Sequence, residues 1–366
     1  MTDSPTRSSG AGPLSGARSG SGARFDLRDL RHPIVVAPMA GGPSTPELAA
    51  AGSETGGLGF LAAGYLSAAT LADRITAARR LTTGPIGVNL FTPQPDTAFT
   101  AELERYAQHL AGEAERYGVA LGEPRFDDDD WAAKLDVVAD LRPEVVSFTF
   151  GLPSAHECAR LRDVGITTIA TVTTVAEAEA AEACGVDAVV AQAAAAGGHR
   201  GTFDPTVLPA DQPLLDLVAA VSARLSIPVV AAGGLVTAAG VAGAISAGAV
   251  AVQAGTAFLL ADEAGTGPTQ RAALRDPQFT ETALTRAFSG RYARGLRNRF
   301  IDEHEDAAPF GYPQVHHLTS PVRAAAARAG DPHGTNVWAG TGYRSITAGP
   351  AADILTGLAA ELPARS

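Results

Sequence analysis

The chain has 366 residues, 46% hydrophobic and 18% charged, with 28 Lys and Arg against 39 Asp and Glu and a formal net charge of −11. This composition excludes a disordered body and supplies ample apolar side chains for a large α/β core. An acidic balance without a basic stripe argues against a nucleic-acid partner, and no run of 18 or more apolar residues marks a membrane span.

Residues 1–23 are rich in Ser, Gly and Pro and lack an apolar segment, which predicts a disordered tail and not a secretory signal. From Pro33 onward, short β-branched runs alternate with Ala-rich amphipathic stretches. The runs at Ile34–Ala37, Leu58–Ala62, Ile86–Leu90, Val145–Phe150, Thr168–Val172, Ala188–Gln192, Val229–Ala232 and Ala251–Ala254 read as strands. Helical patterns follow, among them Thr45–Gly52, Ser67–Arg80, Ser154–Val164, Thr174–Gly185 and Thr237–Gly248. Such units predict a (β/α)8 TIM barrel, with an open doubly wound sheet as the alternative topology.

Two intervals break the rhythm. Between Thr92 and Pro143 lies a polar insertion with a helical segment, Ala98–Tyr117, and the run Asp127–Asp130, which reads as a solvated helix cap ahead of Trp131 in preference to a metal site. Residues 262–321 follow the eighth strand and read as a helical lid subdomain on the substrate side, leaving 24–261 and 322–366 as the barrel body. Within the lid, Arg291–Arg299 reads as a helix end and loop whose arginines pair with carboxylates. His316 and His317 are adjacent and lack the i, i+4 spacing of paired zinc ligands, so no metal is expected. Cys158 and Cys184 are too few for a disulfide framework, and a reducing cytoplasm is the expected setting.

Chemistry concentrates at the strand ends. The sixth strand runs into Gln192–Gly201 (QAAAAGGHRG), placing Gly197, Gly198 and His199 in the loop at its carboxyl end, where barrels keep their active sites. Paired glycines let backbone approach a flat or phosphorylated ligand, and an imidazole serves as acid or base near neutral pH. The turns after strands seven and eight carry Gly233, Gly234, Gly255 and Thr256, the expected positions of a barrel phosphate site. Pro38, Met39, Ala40 and Gly41 end the first strand in a segment able to lie flat on a ring system. The amides of Asn89 and Gln192 offer donors and acceptors to ring heteroatoms. One phosphate cradle with a flat ring site, and no GxGxxG after the first strand, specifies FMN better than a dinucleotide.

The segments APMAGG, GVNLF, SFTFGLP, AQAAAAGGHRG, VVAAGGLVT, VQAGTAFL and NVWAG, in this order from about Phe25 to Leu362, together resemble the nitronate monooxygenase family, formerly 2-nitropropane dioxygenases, and most closely its class I branch. The resemblance implies non-covalently bound FMN in a TIM barrel with a helical lid. It implies flavin contacts at Pro38, Met39, Ala40, Gly41, Asn89, Gln192, Gly197, Gly198, Gly233, Gly234, Gly255 and Thr256, and a catalytic His199. The implied reaction oxidises alkyl nitronates, such as propionate 3-nitronate, with O2 to a carbonyl compound and nitrite. His199 would stabilise the anion when protonated or remove the α-proton of a neutral nitroalkane.

The chain departs from the family pattern at Ala193 and Ala195, where Gly and Glu are usual, and at Thr149, where class I relatives often carry His. Three other readings remain open at this level: an FMN-dependent NAD(P)H reductase of the enoyl-acyl-carrier-protein or quinone type, a flavin-binding protein with little catalysis, and a flavin-free phosphate-binding barrel. Expected partners are the small-molecule nitronate and O2, with neither nucleic acid nor membrane; a homodimer stays open.

Overall fold

The computed structural model describes residues 24–363, so the tail expected over residues 1–23 lies outside the described residues. In chain order the elements are β1 (Ile34–Val36), α1 (Pro46–Glu54), β2 (Leu58–Ala62), α2 (Ala68–Leu81), β3 (Ile86–Phe91), α3 (Thr100–His109), α4 (Ala111–Tyr117), α5 (Trp131–Leu141), β4 (Val145–Thr149), α6 (Ala155–Asp163), β5 (Thr167–Val172) and α7 (Val175–Cys184). They continue as β6 (Ala188–Gln192), β7 (Gly198–His199), α8 (Leu214–Ser222), β8 (Val229–Ala232), α9 (Ala238–Ser246), β9 (Ala251–Ala254), α10 (Pro268–Arg275), β10 (Thr282–Thr285), β11 (Ala293–Leu296), α11 (Arg299–His304), α12 (Gln314–Arg328) and α13 (Ala351–Leu358).

Strands β1 to β6, β8 and β9 form a closed parallel barrel in sequence order. Closure pairs β1 with β9, Ile34 opposite Val252 and Val36 opposite Ala254. This is the (β/α)8 barrel expected from the alternating units. Strands covered by helices outside and by packed side chains inside are buried on both faces, so β2 (LGFLA) and β5 (TTIATV) are buried at every position. Hydroxyls then start the helices: Thr45, Ser67, Ser154, Thr174 and Thr237 each accept a backbone N–H in the first turn of α1, α2, α6, α7 and α9. Inside the barrel, Val35, Phe60, Val145, Ile169, Val190 and Val230 pack with Leu27 and Leu30. The Thr167 hydroxyl at the start of β5 donates to the Phe25 carbonyl, 2.7 Å, so this leading segment closes the amino-terminal end and leaves the carboxyl end open for a site.

The lid departs from expectation in three ways. Residues 262–321 hold a β-hairpin as well as helices: β10 pairs antiparallel with β11, and β11 pairs with β7 of the barrel loop. Four-residue strands such as TALT and ARGL are too short to display period-two alternation, so the sequence pattern hides them. Next, α12 runs through the expected boundary at residue 321, with Pro321 inside it, while Gly122 of the first insertion donates to the Leu318 carbonyl at 2.9 Å. That insertion packs on the lid: Leu103, Tyr106 and Leu110 share a core with Phe288, Phe300, Val315 and Leu318.

Two charged segments also behave differently from their sequence reading. In the basic stretch, Arg297 and Arg299 do pair with carboxylates, Arg297 Nη1 with Glu281 Oε1 at 2.9 Å and Arg299 Nη2 with Glu113 Oε2 at 2.8 Å. Arg291 and Arg294 turn inward instead and donate to carbonyls of Arg200 and Ala194, respectively. In the acidic run, no side chain caps α5. Asp129 is drawn inward, pairing with the buried Lys134 at 2.7 Å and accepting the Tyr65 N–H at 2.9 Å, while Asp127 contacts His317 at 2.8 Å. The Tyr65 N–H, 64 residues away, and the buried Lys134 outcompete local capping by Asp129. No helix among the described residues is long and apolar enough to cross a membrane.

Gly59 is where α1 packs on β2. A Cβ there would lie 1.8 Å from the Ala49 carbonyl oxygen, a backbone atom that cannot swing aside. Gly59→Ala should therefore lower stability by about 1–3 kcal/mol, read as a reduced urea midpoint with an unchanged m-value.

Candidate active site

The carboxyl ends of the barrel strands and the inner face of the lid enclose a cavity of about 400 Å³. Every candidate residue from the sequence lines it: Pro38, Met39, Ala40 and Gly41 after β1, Asn89 on β3, Gln192, Gly197, Gly198 and His199 on and after β6, Gly233 and Gly234 after β8, and Gly255 and Thr256 after β9. Residues scattered over more than two hundred positions converge because parallel strands of one barrel all end on the same face.

The glycines form a cradle through backbone proximity. A Cβ at Gly197 would fall 2.4 Å from the Gly340 nitrogen, and one at Gly340 would fall 2.5 Å from the Ala195 oxygen. Gly234 has φ +72°, and its Cβ would meet that of Ala195 at 3.0 Å. Three segments thus approach as closely as backbone allows, with Ala195 packed between them where a longer side chain is usual in the resembled family. The Thr256 hydroxyl accepts the Gly340 N–H at 2.9 Å, which leaves its own proton to donate into the cradle.

The amides work mainly as braces. Gln192 Nε2 donates to the His199 carbonyl at 3.1 Å and its Oε1 accepts the Gly201 N–H at 2.8 Å, so this side chain shapes the loop that carries the histidine. Arg200, buried beneath it, donates to the carbonyls of Gln192 and Ala193. The Asn89 amide nitrogen serves Ser147 Oγ at 2.9 Å and Thr149 Oγ1 at 3.0 Å, leaving Oδ1 toward a ligand. Thr149, the departure from the family's histidine, is therefore part of what orients Asn89.

His199 is locked on both sides of its chain: its backbone pairs with Ala293 of β11, and its Nε2 lies 2.8 Å from Ser289 Oγ. Its ring is enclosed by Phe150, Tyr312 and Trp338, at centroid distances of 5.8, 5.6 and 5.6 Å. Burial, reinforced by the charges of Arg291 and Arg323, lowers its pKa to about 3, so the imidazole is uncharged at neutral pH. Of the two roles expected for it, that of a protonated group stabilising an anion is the one this environment disfavours at neutral pH. His316, set aside as a metal ligand, lines the same cavity; burial and Arg323 lower it to about 2.

Sequence reasoning missed Ser289, Phe150, Tyr312 and Trp338. Phe150 and Trp338 sit inside the motifs SFTFGLP and NVWAG, where a signal existed; Ser289 and Tyr312 carry no local one. Phe150 and Tyr65, both lining the cavity, adopt left-handed backbone with φ +82° and +68°. The Arg291 guanidinium over the Phe150 ring, 4.1 Å from its centroid, holds the first, and Asp129 holds the second.

The two depressed imidazoles bind protons more weakly in the folded protein than in the unfolded chain. Their contribution to stability is full above the ordinary histidine value of 6.5 and is lost as pH falls toward the folded values of about 3 and 2. Each costs about 1.4 kcal/mol per pH unit below that point. Urea denaturation between pH 6.5 and 5 should show a shallower acid slope in His199→Asn and His316→Asn than in the unaltered protein.

Comparison with known proteins identifies the family. The family model for nitronate monooxygenase matches residues 26–361. A probable nitronate monooxygenase from Staphylococcus aureus is 38% identical over 342 residues, covering 91% of this chain and 94% of its own. The structure of nitroalkane oxidase from Streptomyces ansochromogenes is 49% identical with a TM-score of 0.88, covering 92% of this chain and 97% of that one. FabK from Thermotoga maritima is 27% identical with a TM-score of 0.70, covering 91% and 93%. The chain belongs to the nitronate monooxygenase family of flavin-dependent oxidoreductases.

Proposed function

We propose that this protein is an FMN-dependent enzyme that oxidises alkyl nitronates, such as propionate 3-nitronate, with O2 to a carbonyl compound and nitrite. The observation that carries the reading is His199, fixed by Ser289 and β11, in a cavity that it shares with the glycine cradle. Family membership and the nitroalkane oxidase neighbour support the same reaction class.

The residues present fit FMN. Gly233, Gly234, Gly255 and Thr256 would hold the phosphate through backbone N–H groups and one hydroxyl. Pro38 to Gly41 and Gly197 to Gly198 would bound the ring, and Asn89 Oδ1 would accept from a ring N–H. The bound flavin would accept electrons from the substrate and pass them to O2. His199 would take the proton from the carbon beside the nitro group of a neutral nitroalkane; a nitronate has already lost it, and there the ring would orient the anion. Phe150, Tyr312 and Trp338 would exclude water. On this reading, the barrel body expected over 24–261 and 322–366 holds the flavin, the subdomain after β9, carried by α12 past the expected boundary at residue 321, covers the substrate, and the enzyme works in the cytoplasm.

Flavin absorbance followed anaerobically tests the reading. Propionate 3-nitronate should bleach it, and NADH or NADPH should not; the reverse pattern would move the protein to the reductase class. His199→Asn should cut turnover of neutral nitroalkanes by about 10²- to 10⁴-fold and that of nitronates much less. Equal losses would overturn the assignment of His199 as base.

A further inference from the structure

An uncharged imidazole has one N–H and one lone pair, so His199 can take a proton only through the ring nitrogen that lacks one. The hydroxyl of Ser289 decides which nitrogen that is. Ser289 lies buried between β10 and β11, and its Oγ meets two groups: His199 Nε2 at 2.8 Å and the Arg291 carbonyl oxygen at 3.2 Å. A hydroxyl has a single proton to give, and a carbonyl oxygen can only accept. The contact with Arg291 therefore uses the Ser289 proton. Oγ is left as an acceptor toward His199, which makes Nε2 the nitrogen that carries the hydrogen.

The Arg291 carbonyl has no substitute for that proton. Arg291 is 1% exposed, and among the described residues no other donor reaches its carbonyl oxygen. Were Ser289 to turn its proton to Nε2 instead, a buried carbonyl would lose its partner, an arrangement that folded proteins avoid. The ring itself is held in place. Its carbonyl accepts from Gln192 Nε2 at 3.1 Å, its backbone pairs with Ala293, and Phe150, Tyr312 and Trp338 enclose the imidazole. Turning the ring over would put a carbon where Nε2 stands and leave Ser289 Oγ without a donor.

The lone pair is then on Nδ1. Among the described residues this atom has no hydrogen-bond partner, and unlike the partnerless His304 Nε2 it is not closed off from the surrounding space. His199 lines the barrel-mouth cavity, so Nδ1 opens on it. His316, the other histidine of that cavity, is held the opposite way. Arg323 Nη2, which can only donate, lies 3.2 Å from His316 Nδ1, so there the lone pair is taken and Nε2 keeps the hydrogen. Of the two imidazoles, His199 is the one that offers the cavity a lone pair.

We infer that Ser289 is a positioning residue that holds His199 as its Nε2–H tautomer, and that Nδ1 is the atom that takes the α-proton of a neutral nitroalkane. This rests on the reaction proposed above and names the base atom within it. In the step, the C–H bond breaks, its electron pair moves into the nitro group to give the nitronate, and the proton goes to Nδ1 while Nε2–H stays on Ser289 Oγ.

Nitrogen-15 NMR of the histidine-labelled protein near neutral pH reads the tautomer directly, with His199→Asn identifying the His199 signals. In the unaltered protein Nε2 should resonate as a protonated and Nδ1 as an unprotonated nitrogen, and Ser289→Ala should move proton density to Nδ1. Turnover of the flavin-loaded protein gives the second reading. Ser289→Ala should lower kcat/KM for neutral nitroethane about 10- to 100-fold, and far less for ethyl nitronate, which has already lost that proton. Ser289→Thr, which restores a hydroxyl, should recover both the tautomer and nitroethane turnover. A proton on Nδ1 in the unaltered protein would overturn the assignment whatever the activity. An unchanged tautomer in Ser289→Ala, or a loss that is the same for both substrates, would reduce Ser289 to a support of the hairpin and overturn it as well. If the unaltered protein oxidises neither substrate, the proposed reaction fails and the base atom falls with it, while the Ser289 assignment stands or falls on the spectrum.

Discussion

Two residue pairs, Gly198 with Arg294 and His199 with Ala293, join the barrel to its lid by main-chain hydrogen bonds. Without them the loop after β6 would be a surface loop with an exposed histidine. With them, His199 becomes the edge of a three-stranded sheet, its imidazole is delivered to Ser289 on the segment between β10 and β11, and the lid is aligned over the open end of the barrel. The braces at Gln192 and Arg200 act from below on the same few residues, so backbone is held from both directions where the side chain must be placed. Such over-determination suits the catalytic role proposed for His199, since errors of about 1 Å cost large factors in rate.

The electrostatics follow from that placement. Enclosure by aromatic rings and proximity to Arg291 and Arg323 make a charged imidazole expensive, so both cavity histidines are neutral and the field inside is set by guanidinium groups. Most of these arginines spend their donors on carbonyls, acting as rigid cross-links between loops that have no regular structure of their own. Arg323 differs because it lines the cavity. A positively biased cavity with no carboxylate in its lining among the described residues favours anionic occupants, and the acidic balance of the chain makes the rest of the surface unattractive to anions in general.

The insertion after β3 and the segment after β9 share one apolar core, and their union gives the cavity its roof. Asp129, Tyr65, Tyr312 and His316 lie along this seam: Tyr65 stacks on His316 with centroids 4.2 Å apart, and Tyr312 donates to Tyr65 at 3.1 Å. Residues distant in sequence thus reach the substrate region through lid packing, and not through the strand ends.

What the sequence determined by itself is what local periodicity and strand-end position encode. Each barrel strand appears as a short apolar run, five of the helices between strands begin at a hydroxyl cap, and the glycines and His199 follow strand ends, so the barrel's common carboxyl face brings Pro38, Asn89, Gln192, Gly233 and Thr256 together. Only the tertiary structure decided the rest, because those outcomes depend on partners far along the chain. The ARGL segment becomes a strand only because β7 and β10 flank it. Asp129 leaves its capping position for Lys134 and Tyr65, and Gln192 becomes a brace because Gly201 folds back on it. His199 loses its charge through burial by Phe150, Tyr312 and Trp338, and Arg323, tied to Thr319, Asn336 and His316, meets no carboxylate among the described residues. Desolvation and charge pairing are sums over neighbours in space, which a linear pattern does not contain.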